Sequence, residues 1–297
     1  MNYSVQNSIP NLRVSLWGWL IYFCLPIRKK TVHKNIDFVF QKTITIHAKK
    51  RLAQAFYSHL VTSIKELISI PFIRRDKLRL MVVIEGMSNL TQGIASGRGV
   101  ILLTGHVGNW EFAPIMGIPM MNITNNLYVI RKPIKTRWIE SWLYKRCETA
   151  GITILSARQG IKQLRTVLAQ NGIIHFAFDQ HVGIRTNQGI AVPFFNELAG
   201  TYRSLAVLAH RTGATVVPMS TFRLNNGKHV LKFHAPLEWQ EGTSLKESIY
   251  NNTLHYNQMI EAMILDNPEQ WWWVHKRWKL PKSVEAQTAG NVLQEKT

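Results

Sequence analysis

Apolar residues fall into three textures along the chain. Over residues 14–27 (VSLWGWLIYFCLPI) they run together without a charge, with Arg13 before them and Arg28, Lys29 and Lys30 after. Over 34 to about 90 they recur at helical spacing, as in Leu52, Ala55, Phe56, His59, Leu60, Ser63, Ile64 and Leu67, with basic residues between. From Gly99 onward short apolar runs alternate with amphipathic stretches. The runs at 100–103, 127–130, 152–155, 173–178 and 215–219 predict buried strands, and 135–149, 158–170 and 202–211 predict helices between them. Gly227 marks a hairpin between strands at 216–224 and 229–237, and 244–265 predicts a final long helix. The fold expected is α/β, with a largely parallel or mixed central sheet flanked by helices. Four segments follow: an apolar anchor at 1–33, a helical arm at 34–98, a core at 99–282 and a polar tail at 283–297. No internal repeat interrupts this plan.

The first texture faces a membrane. A bilayer span needs roughly 20 apolar residues, and this run is shorter, which favours a membrane-anchoring helix that is short, tilted or interfacial. Trp17, Trp19 and Tyr22 suit the headgroup region, and the basic flank suits anionic lipid. A cleaved signal peptide and a buried core helix are the rival readings, although Pro26-Ile27-Arg28-Lys29 follows where a signal peptide would carry small residues. Charge then widens the choice of partner: 36 Lys and Arg stand against 17 Asp and Glu, a net charge of +19. Nucleic acid, anionic lipid and an acidic carrier protein all fit. The two cysteines, Cys24 and Cys147, have no metal-site or disulfide spacing.

Candidate chemistry centres on the end of the first core strand, which runs into Thr104-Gly105-His106-Val107-Gly108-Asn109-Trp110-Glu111. Functional groups in open α/β sheets gather at the carboxyl ends of strands. Gly105 and Gly108 permit a tight turn, and Asn109 suits the N-cap of a helix starting near Trp110. Folding back through the glycines would let Glu111 accept the Nδ1 proton of His106. The imidazole would then take a proton from a hydroxyl at Nε2. Spacing alone is a weak signal and favours a structural histidine and a solvated glutamate. No G-x-S-x-G elbow is present, and neither cysteine lies in a nucleophile motif.

The string TGHVGNWEF at 104–112 closely resembles the signature of the bacterial lipid A late acyltransferases, a branch of the lysophospholipid acyltransferase-like superfamily. The likeness continues in order through YVIRKP (128–133), Phe178-Asp179-Gln180, Val192-Pro193-Phe194-Phe195, the helix with Ala206 to Gly213, Val217-Pro218 and PEQWWWVHKRWK (268–279). The resemblance implies a membrane-bound enzyme at the cytoplasmic face of the inner membrane. It would move a fatty acyl chain from acyl-carrier-protein to a hydroxyl of a lipid A precursor or related glycolipid. His106 would be the general base and Glu111 its orienting carboxylate, with no metal or other cofactor. Lysophospholipid as acceptor, a non-catalytic basic membrane-binding protein, and an esterase remain the alternatives.

Further residues, Asn109 among them, are expected to bind substrate. Arg131 and Lys132 follow a strand at the same end as His106 and would hold phosphate. Asp179 and Gln180 end another strand; Asp179 is expected either to hold a substrate hydroxyl or to cap structure. Many family members carry a second acidic residue where this chain has His181. Val192 to Phe195 is expected to form an apolar wall for the acyl chain, with Asn196 taking the positive φ that a glycine usually takes. Arg158 and Arg203 open helices and are either phosphate contacts or solvated cations. The tryptophans at 271–273 and 278, interleaved with cations, fit a membrane interface and cation–π packing better than base stacking, since no nucleic-acid-binding signature accompanies them. Histidines 175, 210, 229 and 234 are read as structural.

Overall fold

The computed structural model describes residues 8–25, 27–73, 77, 80–131, 136–156, 160–184 and 188–279, with side chains 156, 160 and 161 left aside. The segment predicted as a membrane anchor forms α1 (Leu16–Cys24), capped by Ser15, whose hydroxyl accepts from Gly18 N at 3.1 Å. Among the described residues no helix is long and apolar enough to cross a membrane. Instead α1 lies against the arm, formed by α2 (Lys29–Phe40) and α3 (Ile46–Ser69). Gly18 makes the crossing possible: a Cβ there would stand 2.5 Å from Ser58 Cα. Tyr22 is buried in the crossing, whereas Leu16, Trp17, Trp19, Phe23 and Leu25 remain exposed.

The helical texture predicted up to about residue 90 is interrupted by β1 (Val82–Glu85), which precedes α4 (Met87–Ala95). Periodicity missed β1 because it is short and lies at the sheet edge. The other strands are β2 (Val100–Thr104), β3 (Leu127–Arg131), β4 (Ile152–Ser156), β5 (Ile173–Ala177), β8 (Thr215–Arg223) and β9 (His229–Phe233). They form one seven-stranded sheet in the order β1-β9-β8-β2-β5-β3-β4, parallel throughout except for the β8–β9 hairpin. Each predicted core strand is present. Val100 and Leu102 face a core with Phe112, Ile115, Leu127 and Val217, while Ile101 and Leu103 face one with Leu168, Phe176, Phe178 and Ile260. A strand buried on both faces has no polar alternation, which is why β2 reads as the unbroken run VILLT.

Helices α6 (Arg137–Thr149), α7 (Gly160–Ala169), α8 (Ser204–Thr212) and α9 (Leu245–Asp266) surround the sheet. A separate hairpin pairs β6 (Gly189–Phe194) with β7 (Glu197–Tyr202). Its two-residue turn, Phe195-Asn196, has φ of 53° and 62°, the signs of a type I′ turn; Asn196 takes the expected positive φ. Tyr202, expected to open α8, instead ends β7.

Candidate active site

Register brings the site together. Strands β2 and β5 are parallel neighbours with Thr104 opposite Ala177. Two residues further on, the chains present His106 and Asp179 to each other. Asp179 Oδ1 lies 2.6 Å from His106 Nδ1, and Asp179 Oδ2 accepts from His106 N at 2.9 Å. Trp271 Nε1 donates to the same Oδ2 at 2.8 Å. Burial works to raise the Asp179 pKa, but the His106 charge and these donors overcome it and hold the carboxyl well below its usual range. His106 moves the opposite way. Burial lowers it, yet the Asp179 carboxylate outweighs burial, and Glu111 adds to the rise. With Nδ1–H donating to Asp179, Nε2 is left as an acceptor, 3.1 Å from the Gln180 amide nitrogen.

Glu111, expected on His106, is turned to Arg131, whose Nη1 lies 2.9 and 3.0 Å from the two carboxylate oxygens. The helix also starts later than expected. It is α5 (Phe112–Gly117), with Glu111 at its N-cap position, although the Asn109 side chain still accepts from Phe112 N at 3.3 Å. Without helix at Trp110, the turn carries His106 towards β5 and leaves Glu111 facing β3, where Arg131 ends the strand.

Three segments pin this turn. Gly108, at φ +66°, runs so close to β8 that a Cβ would stand 2.4 Å from Thr221 O. Thr221 Oγ1 donates to Val107 O at 2.5 Å. From the C-terminal side Gly108 N donates to Gln270 O and Trp272 N to His106 O, each at 2.9 Å. From the arm, His59 Nε2 approaches Gly108 O at 3.2 Å, and Glu66 accepts from Asn109 Nδ2 at 2.8 Å. Glu66 also takes two 2.6 Å bonds from Arg223 and lies 3.1 Å from His229 Nε2. Burial opposes its ionisation, but these partners lower its pKa to about 2. Sequence reasoning did not single out Glu66, Arg223 or His59; Glu66 and Arg223 are 157 positions apart, and no local pattern pairs them.

The His106 ring opens on a cavity of about 610 Å³. Its mouth carries His106, Glu111, Arg131, Gln180 and Gln188, and its interior Pro114, Ile115, Val129, Cys147, Ile152, Ile154, Leu155 and Leu164. The cavity exists because the β3–β5 ladder stops at Val129↔His175 while β3–β4 continues to Arg131↔Ser156. Beyond that point both strands line the space, with Ile130 and Arg131 from β3 and Phe176 and Ala177 from β5. Arg203 precedes α8 but is not among the lining residues, and Lys132 and Arg158 lie outside the described residues. Among the described residues no group of three His, Cys, Asp or Glu side chains is arranged to hold a metal ion.

Two expected surfaces are core instead. Val192, Phe194 and Phe195 are buried away from the cavity lining, and Trp271 and Trp273 are buried rather than at an interface. They pack on one another, with Phe194 6.0 Å from Trp271 and the two tryptophans 4.6 Å apart. The cation–π expectation is met by a different ring: buried Arg277 sits 4.6 Å over Phe194 and donates to Gly200 O and Thr201 Oγ1.

A family model described as bacterial lipid A biosynthesis acyltransferase matches residues 11–280. The chain belongs to this family. It is an acyltransferase. Among its relatives, the lipid A biosynthesis palmitoleoyltransferase of Escherichia coli (strain K12) is 24% identical over 252 residues, 85% of this chain and 79% of the relative. The lipid A biosynthesis lauroyltransferase of the same organism is 24% identical over 259 residues, with the same coverage. A phosphatidylinositol mannoside acyltransferase of Mycobacterium tuberculosis (strain ATCC 25618 / H37Rv) is 26% identical over 160 residues, 52% of this chain and 49% of the relative.

Proposed function

We propose that this acyltransferase moves a fatty acyl chain from an acyl-carrier-protein thioester to a hydroxyl of a lipid A precursor, with His106 as general base. The observation that carries the reading is the His106 Nδ1 contact with Asp179 at 2.6 Å, with Nε2 left at the mouth of an apolar cavity. The acceptor hydroxyl takes the place of the Gln180 amide at Nε2. As its oxygen attacks the thioester carbonyl, its proton passes to Nε2, and Asp179 balances the imidazolium that forms. The C–S bond then breaks, and the departing thiolate takes the proton from Nε2. No covalent intermediate forms on the protein. In this reading Asp179 orients the base. Glu111 holds Arg131 at the mouth, where its charge stabilises the oxyanion or a substrate phosphate, and also supports a protonated His106 through space.

The exposed apolar side of α1 lies in the headgroup region of the membrane. Leu16, Trp17, Trp19 and Phe23 face outward there, and Ile64 and Ile68 of α3 extend the patch. Lys29 stands 3.9 Å over Tyr22, and Lys65 stands 5.6 Å from the Trp17 ring centre. This is interfacial association at the cytoplasmic face, where anionic lipid and the acidic carrier both meet a chain of charge +19.

The test offers labelled acyl-carrier-protein with lipid A precursor, lysophospholipid or a phosphoinositol mannoside, and identifies the products. Ester formation on lipid A precursor is expected, abolished in His106→Ala. Transfer to another acceptor alone, or release of free fatty acid alone, would overturn the acceptor or the reaction respectively.

A further inference from the structure

Several polar side chains of the cavity have no part in this mechanism, and one of them, His175, is set within the sheet itself. His175 sits in the middle of β5, opposite Leu102 and Val129, at the point where β3 and β5 part. The imidazole lines the interior among Pro114, Ile115, Val129, Ile152 and Ile154. Among the described residues its ring has no side-chain partner, only a bond with its own backbone, whereas the rings of His59, His106, His234 and His275 each bond to another residue. A ring nitrogen left facing an apolar wall is costly, and a chamber meant only for hydrocarbon would be better lined there by leucine or phenylalanine. Burial lowers the pKa of His175 to about 4, so the ring is neutral at pH 7 and has one donor and one acceptor nitrogen. A hydroxyl, itself donor and acceptor, matches it; a carboxylate or phosphate does not.

We propose that His175 is a specificity-determining residue which selects an acyl chain bearing a hydroxyl group along its length. This rests on the reading of the cavity as the acyl site. His175 lies four residues before Asp179, which holds the base, on the order of 13 Å along the strand at about 3.3 Å per residue. The hydroxyl therefore belongs well along the chain, away from the carbons next to the thioester.

The experiment is a competition in which wild-type enzyme receives dodecanoyl-carrier-protein together with its 2-hydroxy, 3-hydroxy, 6-hydroxy or 12-hydroxy counterpart. The 6-hydroxy or the 12-hydroxy chain is expected to be used about fivefold faster or more, the worth of one neutral hydrogen bond, while the 2-hydroxy and 3-hydroxy chains gain nothing. His175→Phe should bring that ratio to about one and still transfer dodecanoate, and His175→Asn should restore part of the preference. Displacement of a fluorescent fatty acid by dodecanoic and hydroxydodecanoic acids reads the same selectivity without turnover. Hydroxylated chains bound preferentially by wild type, and not by His175→Phe, would sustain the inference even if no acceptor were acylated, in which case it is the transfer reading that fails. Equal use and equal binding of plain and hydroxylated chains, or a preference that survives His175→Phe, would overturn it.

Discussion

In the proposed mechanism His106 and Asp179 divide the labour of one proton transfer. Replacing Asp179 with Asn leaves the shape nearly unchanged but allows the wrong tautomer, and kcat should fall by on the order of 10³–10⁴. Glu111→Gln leaves the Asp179 contact in place and frees Arg131, so it should act mainly on KM, with a smaller loss in kcat. A Glu111→Gln loss as large as that of Asp179→Asn would return the orienting role to Glu111. The pH dependence has a definite sign. Because the His106 pKa is raised above 6.5, the pair's contribution to stability is complete below that value and is lost as pH rises through the raised one. Activity runs the other way, since Nε2 must be unprotonated to act. kcat/KM should therefore rise with pH with a midpoint above 6.5, and Asp179→Asn should shift the midpoint of any residual activity downward.

Among the elements, the turn after β2 was the most legible in sequence: the strand run, the two glycines and the histidine at the strand end all stand as expected. Its partner was not legible, because which carboxylate meets His106 depends on β2 and β5 being neighbours, 73 positions apart. Asp179 was recognised as a cleft residue, but neither of the roles expected for it was to hold the base. Trp271 and Trp273 show the same limit from the other side, since a cluster of tryptophans and cations is written alike whether it meets lipid or fills a core. Buried tryptophan is the costlier to lose: Trp273→Ala should lower stability by about 3–5 kcal/mol in denaturant unfolding. The network around Glu66 makes a separate prediction. A carboxyl lowered from 4.5 to about 2 contributes stability above 4.5 that is lost as pH falls towards 2. Thermal unfolding of the wild type should fall more steeply over that window than that of Glu66→Gln.

Across the whole molecule, the proposed membrane contact draws on charge and exposed apolar surface together. Binding to vesicles containing anionic lipid should weaken as salt is raised, the screening length falling from about 10 Å at 0.1 M to about 3 Å at 1 M. A salt-resistant remainder should vanish when Trp17 and Trp19 are both replaced by Ala. Binding that ignores both salt and these tryptophans would show that α1 is not the contact. Gly18→Leu tests the same surface from beneath, because a side chain at the crossing pushes α1 off α3; vesicle binding should change while transfer to a detergent-dispersed acceptor persists.

The bonds from Gln270 and Trp272 to the His106 turn carry a consequence for timing. Residues 270–272 are made more than 160 positions after the histidine they hold, at the end of the last long helix. As the chain is synthesised, α1 and the basic arm emerge first and can meet lipid while the base still lacks both the strap over its turn and the Trp271 bond to Asp179. On the proposed reading, contact with the membrane precedes competence, and the enzyme would reach its substrate's surface before it is able to act there.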